Sequence, residues 1–167
     1  LLFYKHLKNL DVPESEFLEE IKNTNNKVWF TAKNIGQYKL DFVKNKTDAG
    51  FFLARLKHFP KITEFITSDI PEVIIPNSYV TRCAPGYTME KHIDAGRHTA
   101  IIIPLGSNKG LINFYIKDIK ISTCNYKGPT LSRVDVIHSA VNCSLDYRYS
   151  ITVEIPGTYF SNYFKYQ

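Results

Sequence analysis

Little in this sequence could serve as a covalent staple, a membrane anchor or a charged tract. Cys83, Cys124 and Cys143 are its three cysteines, an odd number without C-x-x-C spacing, which argues against a disulfide framework and against a zinc ribbon. They read as small buried hydrophobes in a reducing compartment, so the expected location is the cytoplasm. Apolar runs such as Ala100 to Leu105 fall far short of the roughly 20 residues that a spanning helix needs, and no membrane partner is expected. Leu1-Leu2-Phe3-Tyr4-Lys5 lacks the charged-then-apolar layout of a secretory signal. The 21 basic and 16 acidic residues leave a formal charge of +5. They are scattered rather than striped, so the excess reads as a solvated basic surface and nucleic acid is not an expected partner.

With 44% hydrophobic and 22% charged residues, the composition is that of a globular chain. Its 167 residues suit a single domain, and no repeat, low-complexity stretch or linker divides them. Residues 1–71 read as helical support with a flanking strand. Asp11-Val12-Pro13-Glu14 is a helix start, with acids close behind and Phe17, Leu18 and Ile21 on one face. A strand is expected over Lys27 to Thr31, a second helix over about Asp48 to Lys57, and a short third helix between Pro60 and Pro71. Residues 72–156 change character. Short β-rich runs recur at Val73 to Cys83, Thr99 to Leu105, Leu111 to Ile116, Thr130 to Ile137 and Tyr147 to Ile155, separated by Gly, Pro, Asn and Asp. That rhythm predicts a mainly β jelly roll rather than βαβ units, with residues 157–167 as a C-terminal extension.

Three residues carry the chemistry. His92 and Asp94 form an H-x-D pair, and on extended backbone alternate side chains project to the same side. His138 follows a Val- and Ile-rich run and can lie opposite that pair in a folded sheet. Two imidazoles and one carboxylate are the facial set of non-haem iron(II) oxygenases, which leaves coordination positions open. His6 and His58 read as surface or packing residues instead. Arg148 and Ser150, which begin the last strand, share one face. A planar guanidinium beside a hydroxyl suits a bound carboxylate. Tyr149, Ile151, Val153 and Ile155 then fall on the opposite, core-facing side.

The segment from His138 through Asn142 and Arg148 to Ser150 resembles the distal half of the Fe(II)/2-oxoglutarate-dependent oxygenase signature: a distal His, a ten-residue step and R-x-S. Upstream, Arg82, Pro85 and Gly86 followed by His92 and Asp94 resemble the R-x-x-P-G…H-x-D segment of prolyl 4-hydroxylase-like members. The resemblance spans roughly Tyr79 to Ile155. It implies a double-stranded β-helix, Fe(II) held by His92, Asp94 and His138, and 2-oxoglutarate and dioxygen as co-substrates. Arg148 and Ser150 would grip the far carboxylate of 2-oxoglutarate, which is decarboxylated to succinate as the substrate is hydroxylated. Cys83 and Met89 stand where prolyl hydroxylases carry co-substrate tyrosines, which leaves Tyr79 or Tyr87 to supply a phenol. Arg82, Arg97 and His98 are candidates for substrate contacts or for supports behind the metal ligands. Glu154 stands where the alkylated-nucleobase demethylases carry a second Arg. The implied substrate is a peptidyl or prolyl side chain, and next to that a small metabolite. Two rivals are a cupin-type jelly-roll metalloprotein and a non-catalytic β-sandwich binding module.

Overall fold

The alternation of side chains along a few strands sorts this molecule into layers. The structure is a computed structural model, and it describes residues 3–31, 50–94 and 96–157. In chain order its elements are β1 (Tyr4–His6), α1 (Glu14–Asn23), β2 (Phe30–Thr31), β3 (Phe51–Arg55), α2 (Pro60–Asp69), β4 (Tyr79–Cys83), β5 (Thr99–Leu105), β6 (Leu111–Ile116), β7 (Ile119–Asn125), β8 (Thr130–Arg133), β9 (His138–Val141) and β10 (Arg148–Ile155). Seven strands make one sheet in the order β1-β8-β5-β10-β4-β3-β2, and three make a second in the order β7-β6-β9. Every strand pairing is antiparallel. Two facing antiparallel sheets of this kind form a double-stranded β-helix, or jelly roll.

On one side of the large sheet, Val80, Ile101, Ile103, Leu131, Ile151, Val153 and Ile155 bury against Phe17 and Ile21 of α1 and Ile62 and Ile66 of α2. Each helix is amphipathic, and burying that stripe against the sheet rather than intrinsic propensity is what holds it. Pro60 opens α2 at its first turn, where its missing N–H costs nothing. Glu20 of α1 accepts the backbone N–H groups of Lys61 and Ile62 and so caps the neighbouring helix. On the other side, Ala100 and Ile102 meet Phe3, Ile112, Phe114, Cys124, Tyr126 and Val134 between the two sheets. A cavity opens between the sheets as well.

Several expectations need correction. The helix expected over about Asp48 to Lys57 is strand β3 from Phe51 to Arg55 followed by a 3-10 turn at Leu56–His58; Asp48 and Ala49 lie outside the described residues. Aromatic residues suit a pleated surface, and pairing with both β2 and β4 outweighs the helical spacing of Phe51, Phe52 and Leu56. Lys27 to Thr31 is strand only at Phe30–Thr31, after a 3-10 turn at Asn26–Val28. The N-terminal stretch therefore gives β1, β2 and β3 to the large sheet rather than a single flanking strand. Val73 to Cys83 is extended only from Tyr79, because Pro76 sits in a 3-10 turn over Ile75–Asn77. Thr130 to Ile137 is not one strand: β8 ends at Arg133, the chain bends, and β9 starts at His138 in the other sheet. In that bend Arg133 makes two hydrogen bonds to Asp135, at 2.9 and 2.7 Å. Strand β7 was not anticipated; its first half, with Ile119 and Ile121 exposed, carries little burial signal. The proposed extension lies outside the described residues beyond Gly157.

Candidate active site

His92 and His138 face each other as a doubly hydrogen-bonded antiparallel pair, each backbone N–H donating to the other's carbonyl at 2.9 Å. That register brings residues 46 positions apart in sequence to ring centroids 4.3 Å apart. The pairing continues along the segment, with Met89 N donating to the Ala140 carbonyl and Asp94 N to the Val134 carbonyl. Period-2 alternation then turns Asp94 to the same side as His92. One ligand atom from each of His92, Asp94 and His138 lies within 4.8 Å of the others. Among the described residues no other cluster of three such groups has this spacing.

The imidazoles are preset for a metal. His92 Nδ1 lies 2.7 Å from the Glu90 carbonyl, and His138 Nδ1 lies 2.9 Å from the Val136 carbonyl. A carbonyl only accepts, so each Nδ1 carries the proton and each Nε2 keeps its lone pair. The two Nε2 atoms are the ones turned toward Asp94, at 3.4 Å and 3.9 Å from its Oδ1. Burial pushes the His138 imidazole down to about 4, helped by the neighbouring His92 and opposed by Asp94 and the Val136 carbonyl. Burial alone would raise the Asp94 carboxyl. The positive groups around it, with Arg97 Nη1 donating to Oδ2 at 2.9 Å, outweigh that and hold it well below the usual carboxylate range. The result is a neutral imidazole and an ionised carboxylate, the protonation states a divalent cation requires.

A cavity lies beside the triad, and Arg148, Ser150, Thr81 and Thr152 form its polar wall. Arg148 is 4% exposed. Its Nη1 reaches the Val141 carbonyl only at 3.5 Å, its Nε has no hydrogen-bond partner, and among the described residues no carboxylate pairs with it. A buried guanidinium in that condition is costly, and the cost falls when an anion occupies the space in front of it. Gly110 makes room for the guanidinium. A Cβ there would stand 2.5 Å from Arg148 Nη1 and 2.9 Å from the Val141 carbonyl, and the φ of +67° already favours glycine. Ser150 Oγ lies 2.7 Å from Thr81 Oγ1, its register partner on β4.

The structure brings His92, Asp94, His138, Arg148, Ser150, Tyr79 and Arg97 to this one cavity. It places three candidates elsewhere. Tyr87 is not on the cavity wall; its ring packs against Gly50. Arg82 points away from Thr81's side of β4 and stacks over Trp29, Phe52 and the half-exposed Tyr147. His98 is largely exposed and lies 3.6 Å from Asp135, so it is no ligand. Sequence reasoning missed Thr81, Tyr126, Thr152 and Glu154. Tyr126 lines the cavity with its ring 5.9 Å from the Arg148 guanidinium, and burial pushes its phenol well above the ordinary range. Only Thr152 and Glu154 had a signal, as the continuation of the Arg148–Ser150 face. Asn142 is fully buried and holds the loop before β10, donating to the Cys83, Ala84 and Asp146 carbonyls at 2.8–3.0 Å.

Neither a family model nor a curated protein matches the sequence. Solved structures do match. A prolyl hydroxylase from Trichoplax adhaerens, in complex with a hypoxia inducible factor oxygen degradation domain peptide fragment, superimposes with a TM-score of 0.61 at 16% identity, over 93% of this chain and 83% of that one. The chain has the fold of that hydroxylase. A 2OG-Fe(II) oxygenase family oxidoreductase from Burkholderia pseudomallei gives a TM-score of 0.47 at 12% identity, covering 62% of this chain and 65% of its own. Among the described residues no helix is long and apolar enough to cross a membrane.

Proposed function

We propose that this protein is an Fe(II)- and 2-oxoglutarate-dependent dioxygenase that hydroxylates a peptidyl side chain, with a prolyl ring the first candidate and a small metabolite the next. The observation that carries the reading is the shared cavity: a His-Asp-His set with both Nε2 lone pairs turned inward, beside a buried guanidinium that lacks a carboxylate. The donor set fits iron(II), which takes two imidazoles and one carboxylate and keeps positions open. When bound, the metal with 2-oxoglutarate and dioxygen would supply the oxidative chemistry: one oxygen atom of dioxygen enters the co-substrate, which leaves as succinate and carbon dioxide, and the other converts a substrate C–H bond to C–OH.

The chain's own residues do the binding and positioning. His92, Asp94 and His138 hold the ion in this reading. Arg148 would donate N–H bonds to one carboxylate of 2-oxoglutarate, with the Ser150 hydroxyl, beside Thr81 Oγ1, adding another. Tyr79 stands on the same wall as a phenol donor. Phe51, Leu53, Met89, Ile102 and Ile112 give the cavity its apolar wall and exclude water. The peptide bound to the Trichoplax protein makes an extended peptide the first substrate class to try. The free cysteines suit a reducing, cytoplasmic setting.

The test is succinate release from 2-oxoglutarate by the iron-loaded protein across a panel of prolyl peptides and small metabolites. Release above background that disappears in His138→Ala and Arg148→Ala supports the reading. No release with any member of the panel, and no substrate-free decarboxylation, contradicts it.

A further inference from the structure

Asp94 offers the cluster one oxygen and gives the other away. Oδ1 is the atom facing His92 and His138, whereas Oδ2 accepts a hydrogen bond from Arg97 Nη1 at 2.9 Å. Arg97 is 5% exposed and forms an ion pair with Glu154, whose Oε2 lies 3.2 Å from Arg97 Nε without hydrogen-bond geometry. Glu154 is also 5% exposed and sits on β10, on the face that carries Arg148, Ser150 and Thr152. A tight turn sets the spacing: Arg97 N–H donates to the Asp94 carbonyl, and Gly96 takes a φ of +77° that favours glycine.

We propose that Arg97 is a positioning residue that keeps Asp94 a one-oxygen ligand, and that Glu154 fixes Arg97 for this task. The inference rests on the metal reading above. A carboxylate with both oxygens free can close on a divalent ion with both and fill an extra coordination position. A charge-assisted hydrogen bond to Oδ2 prevents this and leaves that position for the co-substrates. A lone cation beside Asp94 would also draw negative charge away from the metal. Glu154 balances it, so the carboxylate keeps its donor strength. Arg suits the role better than Lys because its delocalised guanidinium donates to Asp94 through Nη1 while its Nε edge faces the Glu154 carboxylate. The strand that carries the co-substrate anchor thereby also orients a metal ligand.

Cobalt(II) titration of the full chain tests this without turnover, since both affinity and the visible spectrum report the ligand set. Wild type is expected to bind cobalt(II). Arg97→Gln, folded by far-UV circular dichroism, is expected to bind cobalt(II) at least as tightly as wild type but with a changed band intensity, as Asp94 closes on the ion through both oxygens. Glu154→Gln should shift the spectrum in the same direction by less, and Arg97→Lys should recover part of the wild-type spectrum. If Arg97→Gln does not fold, Glu154→Gln and Arg97→Lys decide. A wild-type spectrum in every folded variant overturns the proposal while leaving the metal site standing. Failure of the wild-type chain to bind cobalt(II) overturns both.

Discussion

The two faces of β10 have opposite burdens. Ile151, Val153 and Ile155 are nearly inaccessible and pack against the helices, whereas Arg148, Ser150 and Thr152 line the cavity between the sheets and Glu154, on the same side of the strand, pairs with Arg97. Stability lives on the first face, where every methyl counts and no polar group needs a partner. Chemistry lives on the second, where a buried cation, two hydroxyls and a carboxylate need partners that the chain only partly supplies. Because the side-chain period is two, one eight-residue strand serves both ends without compromise. Substitutions on the two faces should therefore separate metal binding from stability.

The largest separation is expected from His138→Ala. Partners behind a metal ligand are commonly worth about 10–100-fold in affinity, so loss of a ligand should cost more than about 100-fold. The apo unfolding midpoint should move by no more than about 5 °C. Isothermal titration with a divalent ion and a thermal melt measure the two halves. Ile151→Ala should do the reverse. A fully buried Ile truncated against the helices is expected to cost about 2–5 kcal/mol by urea denaturation, while metal affinity in the folded fraction stays put.

Acidity should act on the cavity through His138 and Asp94. The folded pKa of His138, about 4, lies below its unfolded value of 6.5, so the unfolded chain binds more protons between those limits. Stability of the apo protein should fall as pH drops from about 6.5 to 4, by on the order of 3 kcal/mol from this residue. Asp94 adds to the loss further down, because its depressed carboxyl stabilises the fold only while ionised. Denaturant midpoints across pH check this, and His138→Gln should flatten the upper part of the curve. Smallest is Gly110→Ala, which presses a methyl against Arg148 and forces a positive φ. It should cost about 1–2 kcal/mol of stability and weaken 2-oxoglutarate binding severalfold, with divalent-ion binding preserved.

Those contrasts follow from what the sequence displays and what it hides. His92 and Asp94 are visible because a two-residue step on extended chain is local, and Arg148 and Ser150 are visible for the same reason. The β-rich rhythm yields β5 and β6 to the residue and the fold class with them. Register between distant strands is not local. That Ser150 lies opposite Thr81, or that Arg97 meets Glu154 after a chain separation of 57 residues, depends on how the sheets pair. Arg82 and His98 looked functional because they flank the motif, yet alternation sends Arg82 out to Trp29 and the turn after Asp94 leaves His98 in solvent. Strand β3 was misread because Phe51, Phe52 and Leu56 fit a helical period as well as a strand, and only its two neighbours in the sheet decide between them.

The most direct test of the central claim is anaerobic iron(II) titration with and without 2-oxoglutarate, followed by visible absorption. One ion per chain should bind, and 2-oxoglutarate should then produce a new charge-transfer band that is absent in His138→Ala and weakened in Arg148→Ala. If iron(II) binds and 2-oxoglutarate adds no band, the guanidinium is not a co-substrate anchor and the account is wrong.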